Sequence, residues 1–256
     1  MHRLLEAFDP SRPIEDSRTP PYSWYVDQEF FQLEKEHIFQ RCWLPAGRVE
    51  QVEKPGSYIT GEVMGNPYVV VRGVDGKLYA HHNACRHKGA AVAMEEGRCQ
   101  AFVCPYHGWE YNHDGSLKKA PHLGKQVSFN AARNGLSPMC VDSWGPFLFI
   151  DMDGPFGGNG NPRKLHEDLA PLKEPLEKLG FNQLRWCERH EYVLNCNWKV
   201  FVDNGLDGGY HVAYAHEGLS QGLEFEGYET TFEGRTSVQV CSTRGSDERL
   251  GDQVMY

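Results

Sequence analysis

The sequence predicts an α+β chain in which an antiparallel β-sandwich is followed by a second, helix-containing domain. Three observations lead there. Between Cys42 and Ile150, short runs rich in β-branched and aromatic residues alternate with turn signals, the pattern of an antiparallel sandwich. Two loops in that stretch, Cys85-Arg86-His87 and Cys104-Pro105-Tyr106-His107, each offer one thiol and one imidazole. Residues 151–162 (Asp-Met-Asp-Gly-Pro-Phe-Gly-Gly-Asn-Gly-Asn-Pro) carry too much glycine for a strand or helix and read as a linker. The expected organisation is an arm and helix over 1–41, the sandwich over 42–150, the linker over 151–162 and the second domain over 163–256.

Residues 1–22, rich in Pro, Ser, Arg and Asp, read as an extended arm. Asp27 is placed to cap a helix in which Phe30, Phe31, Leu33, His37, Ile38 and Cys42 recur at helical spacing, with Pro45 and Gly47 expected to end it. His37 has no partner nearby in sequence and reads as a helix residue rather than a ligand. Strands are expected at 57–60, 68–72 and 77–80, with a turn at Gly65-Asn66-Pro67 and a two-residue hairpin signal at Asp75-Gly76. Residues 100–103 lead into the second thiol loop, 111–117 turn through Asp114-Gly115, and 147–150 close the set. His81, His82, His113 and His122 have no cysteine at ligand spacing and are expected on strands or at the surface. Past the linker, Leu165, Leu169, Leu172, Leu176 and Leu179 form a helical packing stripe that Pro171 and Pro175 divide in two. Glu191-Tyr192-Val193-Leu194 reads as a strand.

The chain has 256 residues and a formal net charge of −9, from 35 acidic and 26 basic side chains. That balance argues against nucleic acid or an anionic membrane as a partner. No apolar run is long enough to cross a bilayer, and residues 1–10 lack the apolar segment of a signal peptide, so a cytoplasmic protein is expected. Apart from Cys85 and Cys104, the cysteines (Cys42, Cys99, Cys140, Cys187, Cys196, Cys241) have no framework spacing and read as reduced thiols.

Two thiolates and two imidazoles in matched loops can hold either a zinc ion or a 2Fe–2S cluster in which two His replace two Cys on one iron. Zinc fingers usually present like ligands together. Here each loop carries a mixed pair, which favours the two-iron cluster, with Cys85, His87, Cys104 and His107 as its ligands. The pattern Cys-x-His, sixteen residues, Cys-x-x-His resembles the Rieske domain of ring-hydroxylating and related non-haem iron oxygenases. Respiratory Rieske proteins carry a loop disulfide at the positions of Ala90 and Tyr106 and a cluster-bonding serine at that of Trp109. With fewer donors to sulfur, a low reduction potential is expected.

A second constellation follows in Asn204-Gly205-Leu206-Asp207-Gly208-Gly209-Tyr210-His211-Val212-Ala213-Tyr214-Ala215-His216. Five residues apart, His211 and His216 would lie about 140° apart on a regular helix. A π-type or broken turn, eased by Gly208-Gly209, would bring them together. Two imidazoles and one carboxylate make the facial triad of non-haem Fe(II) oxygenases. The segment is similar to the mononuclear-iron motif of Rieske oxygenase alpha subunits, and its Leu-Asp-Gly-Gly-Tyr-His-Val form to their choline monooxygenase branch. By that resemblance His211 and His216 bind a mononuclear Fe(II). Asp207 would be the carboxylate that carries electrons between a cluster His of one subunit and an iron His of its neighbour; alternatively Asp207 or Asp203 only caps a helix. The family's third ligand, an Asp, lies far beyond the His pair, so the second domain is expected to be an incomplete helix-grip catalytic domain, with the arm and first helix packing on it, in a C-terminally truncated chain.

The resemblance further implies O2 as co-substrate, a ferredoxin or flavin reductase as electron donor and a head-to-tail homotrimer. The substrate expected is a quaternary amine, choline or glycine betaine, caged by aromatics among Trp24, Tyr25, Tyr210 and Tyr214. The alternatives are an aromatic-ring-hydroxylating dioxygenase and, from another class, a Rieske electron carrier without oxygenase chemistry.

Overall fold

The computed structural model describes residues 3–121, 123, 128–154, 164–207, 209, 211–234, 236–244 and 253–255. The chain divides into two compact units, one made of Met1–Leu33, Glu167–Gly180 and Glu188–Tyr256, the other of Glu34–His166 and Phe181–Cys187. Linker positions 155–163 lie outside the described residues, as do His122, Gly208 and Tyr210.

Two helices open the chain, α1 (Ser23–Val26) and α2 (Gln28–His37). Asp27 caps the second as expected, its Oδ1 accepting from the backbone N of Glu29 at 2.8 Å and of Phe30 at 3.1 Å. The helix stops at His37, which is exposed, and not at Pro45. Pro45 and Gly47 lie instead in β1 (Leu44–Arg48), drawn into extended backbone by pairing of Leu44 with Ile150.

The second unit is all antiparallel. Its further strands are β2 (Ser57–Val63), β3 (Asn66–Arg72), β4 (Leu78–His82), β5 (Glu96–Arg98), β6 (Phe102–Val103), β7 (Glu110–Tyr111), β8 (Leu117–Lys119), β9 (Pro138–Trp144) and β10 (Phe147–Asp151). One sheet has the order β1-β10-β9-β4-β3-β2-β5 and a smaller one the order β6-β7-β8. The β2–β3 turn is Met64-Gly65, both at positive φ (51° and 81°), so the expected turn shifts back and Asn66-Pro67 belong to β3. The β3–β4 connection is wider than the hairpin expected, running from Gly73 to Lys77 and closed by the Gly73 amide on the Lys77 carbonyl at 2.8 Å.

β3 explains the core. Successive side chains on a strand face opposite sides. Val69 and Val71 join one buried cluster with Cys85, Phe102, Cys104, Trp109, Tyr111 and Leu136, while Tyr68 and Val70 join another with Val52, Ile59, Ala80, Leu148 and Ile150. An unbroken apolar run is what a strand covered on both faces requires. The two thiols of the candidate cluster loops are therefore core residues, 3% and 2% exposed.

In the first unit the leucine stripe forms three short pieces rather than two: α3 (Leu165–Asp168), a 3-10 turn over Ala170–Leu172 and α4 (Lys173–Lys178). Pro171 sits in the turn and Pro175 in the first turn of α4, where a missing N–H costs little. Residues 191–194 form no strand, and Tyr192 and Val193 are exposed. Then come α5 (Trp198–Leu206), α6 (Val212–Ala215), α7 (Glu217–Gly222), β11 (Leu223–Glu233), β12 (Thr236–Thr243) and β13 (Gln253–Met255), the strands pairing antiparallel in that order. Asn197 caps α5 through Oδ1 on the Lys199 amide at 3.1 Å. Among the described residues no helix is long and apolar enough to cross a membrane. Among the described residues no two cysteines are joined in a disulfide.

Candidate metal centres

The two thiol loops repeat one backbone pattern. In the first, the Cys85 amide donates to the Ala90 carbonyl and the Gly89 amide to the Cys85 carbonyl, both at 2.8 Å. In the second, the Cys104 amide donates to the Trp109 carbonyl at 2.8 Å and the Gly108 amide to the Cys104 carbonyl at 3.0 Å. Each loop thus closes on the residue five places beyond its cysteine. Each turns through a glycine four places beyond it at positive φ, 76° for Gly89 and 70° for Gly108, where a side chain would be strained. The matched backbones turn both thiols into the core and raise both imidazoles at the surface.

There the rings meet. His87 Nδ1 and His107 Nδ1 are 3.1 Å apart, with the rings edge to face at 4.5 Å between centroids. The buried indole of Trp109 stacks on His87 at 5.0 Å, and Tyr106 lies against His107 at 4.0 Å. Desolvation first, then the neighbouring His87 and Lys88, pushes the His107 pKa down and favours the neutral, ligating ring. Two core thiols with two converging nitrogens above them fit the donor set of a 2Fe–2S cluster.

One neighbour was not foreseen in the sequence. The Tyr111 hydroxyl lies 3.2 Å from Cys85 Sγ and accepts from the Arg86 amide at 3.1 Å. Burial, and then the bond to Cys85, pushes the phenol pKa well up, so it keeps its proton and can donate it to a thiolate ligand sulfur at that place. One donor to the cluster thus stands beside Trp109 even though the serine is missing. The signal was the alternation of Trp109, just before β7, with Tyr111 in it, both buried.

His81 and His113, expected on strands or at the surface, are core residues, 2% and 5% exposed. His81 Nε2 donates to the His113 carbonyl at 2.8 Å, and His113 Nε2 reaches the Cys99 carbonyl at 3.1 Å. A strand position alone does not reveal which face is covered.

His211 and His216 are brought together, their rings edge to face at 5.2 Å. The means is a broken turn rather than a π-bulge. His211 caps the one-turn helix α6, and His216 ends it with φ −128° and ψ 70° before α7 starts. Asp207, at the C-cap of α5, accepts from His211 Nδ1 at 2.8 Å and from the His211 amide at 3.3 Å. With Nδ1 so engaged, Nε2 of His211 keeps its lone pair for a metal. Asp203 lies inside α5 rather than at its cap, and its Oδ2 accepts from the Tyr25 hydroxyl at 2.6 Å.

Both histidines line a cavity of about 460 Å³ with Asn204, Glu217, Leu223, Phe225, Tyr228 and Gln239. Of the proposed cage aromatics, Tyr210 lies outside the described residues, Tyr214 is exposed, and Trp24 and Tyr25 do not line the cavity. Trp24 Nε1 donates to the Leu4 carbonyl at 2.9 Å and its ring stacks on Phe30. The aromatics that do line the cavity, Phe225 and Tyr228, come from β11, three residues apart where its register with β12 shifts between Glu224 and Glu229.

Residues 42–131 match the Rieske [2Fe-2S] domain family, and residues 181–251 match the catalytic domain of the ring-hydroxylating alpha subunit. The chain therefore joins a Rieske domain to alpha-subunit catalytic sequence, the make-up of a Rieske non-haem iron oxygenase. It is 38% identical to the chloroplastic choline monooxygenase of Arabidopsis thaliana over 99% of this chain and 63% of that one. It is 29% identical to the carnitine monooxygenase oxygenase subunit of Escherichia coli (strain K12) over 91% of this chain and 62% of that one. A solved quaternary ammonium Rieske monooxygenase, described for carnitine oxidation and inter-subunit electron transfer, superposes with a TM-score of 0.80 at 29% identity, covering 89% of this chain and 61% of that one. Naphthalene 1,2-dioxygenase from Rhodococcus sp. follows with 0.75 at 25% identity, covering 89% and 54%. The chain spans less than two thirds of the length of these relatives.

Proposed function

We propose that this protein is the oxygenase component of a monooxygenase for a small quaternary amine, choline or glycine betaine. The observation that carries the reading is the convergence of His211 and His216 on one cavity, with Asp207 holding His211. Cys85, His87, Cys104 and His107 would hold the cluster, and His211 and His216 a mononuclear iron. When bound, the two groups supply stored electrons and a site for O2. The chain's own residues position everything else. Asp207 fixes the His211 ring, and as the family's bridging acid it would face a cluster His of a neighbouring subunit in a trimer. Exposed His87 and half-buried His107 would receive electrons from a ferredoxin or flavin reductase. Phe225 and Tyr228 offer π faces, and Glu217 a carboxylate, to a trimethylammonium group. We retain 42–150 as the Rieske domain and 163–256 as catalytic sequence. We also retain a cytoplasmic location, for which a plastid is the alternative raised by the chloroplastic relatives.

The test is oxygen uptake with a reductase, comparing choline, glycine betaine, carnitine and a simple arene. Uptake with a quaternary amine is the expected result. Uptake with the arene alone would make the protein a ring dioxygenase. Two irons and two sulfides per chain with no substrate-dependent uptake would make it an electron carrier.

A further inference from the structure

On β12 the side chains of Ser237, Gln239 and Cys241 share one face of the strand, and Gln239 and Cys241 are its two buried positions. A buried inward position on a strand is ordinarily apolar. Gln239 is 3% exposed and lines the cavity that His211 and His216 share. Its Oε1 accepts from the Tyr228 hydroxyl at 2.6 Å, while its Nε2 has no hydrogen-bond partner among the described residues. A buried amide N–H pair without an acceptor is costly, and such a group in a native structure calls for a partner.

Tyr228 holds one end of the amide. Its ring lies against the turn before His211, where a Cβ on Gly209 would meet Phe225 Cε1 at 2.9 Å and Tyr228 Cε2 at 3.2 Å. The aromatic pair and the amide it holds are thereby locked to the segment that carries the iron histidines. The cavity has room for a ligand of a few heavy atoms beyond a trimethylammonium group.

We infer that Gln239 is a specificity-determining residue, its Nε2 donating to the oxygen-bearing end of the substrate while Phe225 and Tyr228 face the cationic end. The ligand class is a quaternary amine carrying an acceptor oxygen, a hydroxyl or carboxylate, a short chain away. This deepens the function proposed above and rests on it.

The test is calorimetric titration of the iron-loaded protein with glycine betaine, choline and tetramethylammonium, the last having the cation but no oxygen. Gln239→Met keeps the shape and removes the donors together with the acceptor of the Tyr228 hydroxyl. It should weaken glycine betaine and choline by about tenfold or more and leave tetramethylammonium within about twofold. Gln239→Glu, which sets a carboxylate in the same place, should lose glycine betaine more than choline. Circular dichroism confirms that each variant is folded, and the Glu variant carries the test if the Met variant is not. Equal weakening of all three ligands, or of none, overturns the inference while leaving the proposed function standing. Wild-type protein that binds none of the three overturns both.

Discussion

Tyr111 shows how much one side chain can decide. A phenol that keeps its proton beside a core thiol donates to that sulfur, and a donated hydrogen bond stabilises the more negative, reduced cluster. Tyr111→Phe removes the donor and little volume. Redox titration should therefore find an intact cluster spectrum and a midpoint more negative by tens of millivolts, on the scale of one charge-assisted bond. An unchanged midpoint would mean that the hydroxyl serves only the Arg86 amide. At this scale the candidate ligands stood out, because Cys85, His87, Cys104 and His107 stand in motif spacing. Tyr111, Gln239 and the burial of His81 were not, since each depends on which strand face is covered.

Elements are held by register as much as by composition. Gly61 in β2 stands opposite Tyr68 in β3, and a Cβ there would meet the phenol oxygen at 2.3 Å. Tyr68 in turn donates to the Ala46 carbonyl of β1 at 3.0 Å. Gly61→Ala must push a ring that is itself part of the core, so a loss of about 1–3 kcal/mol is expected in denaturant unfolding. Equal midpoints for variant and parent would show that the ring has room to yield. The same dependence on partners explains which strands the sequence concealed. Leu-Pro-Ala-Gly-Arg has little β propensity and becomes β1 only by pairing with β10, and Glu-Gly-Arg becomes the polar edge strand β5 by pairing with β2. Glu191–Leu194 has the propensity of a strand and no partner among the described residues. The five-residue spacing of His211 and His216 was legible as a break, but its position at His216 was not.

For the whole protein, buried histidine couples stability to pH. Desolvation lowers the His81 pKa, and a proton on Nδ1 would find no acceptor among the described residues. Half-buried His82 is lowered in the same way. Because the folded pKa lies below the unfolded one, the unfolded chain binds more protons between the two, and stability rises with pH there. The stabilisation is complete above the unfolded value near 6.5 and is lost as pH falls below it. Thermal melts should therefore show Tm dropping between about pH 7.5 and about pH 5.5. His81→Gln, which keeps a donor for the His113 carbonyl, should flatten part of that drop. A variant with the parent's full pH slope would assign the effect elsewhere.

β3 is shared by two buried clusters, one of which contains the sulfurs of the metal loops. Colour from the iron–sulfur chromophore should therefore serve as a gauge of the sheet's integrity. Bleaching under heat or denaturant would then report collapse of the scaffold itself, and a preparation that stays brown has kept its architecture.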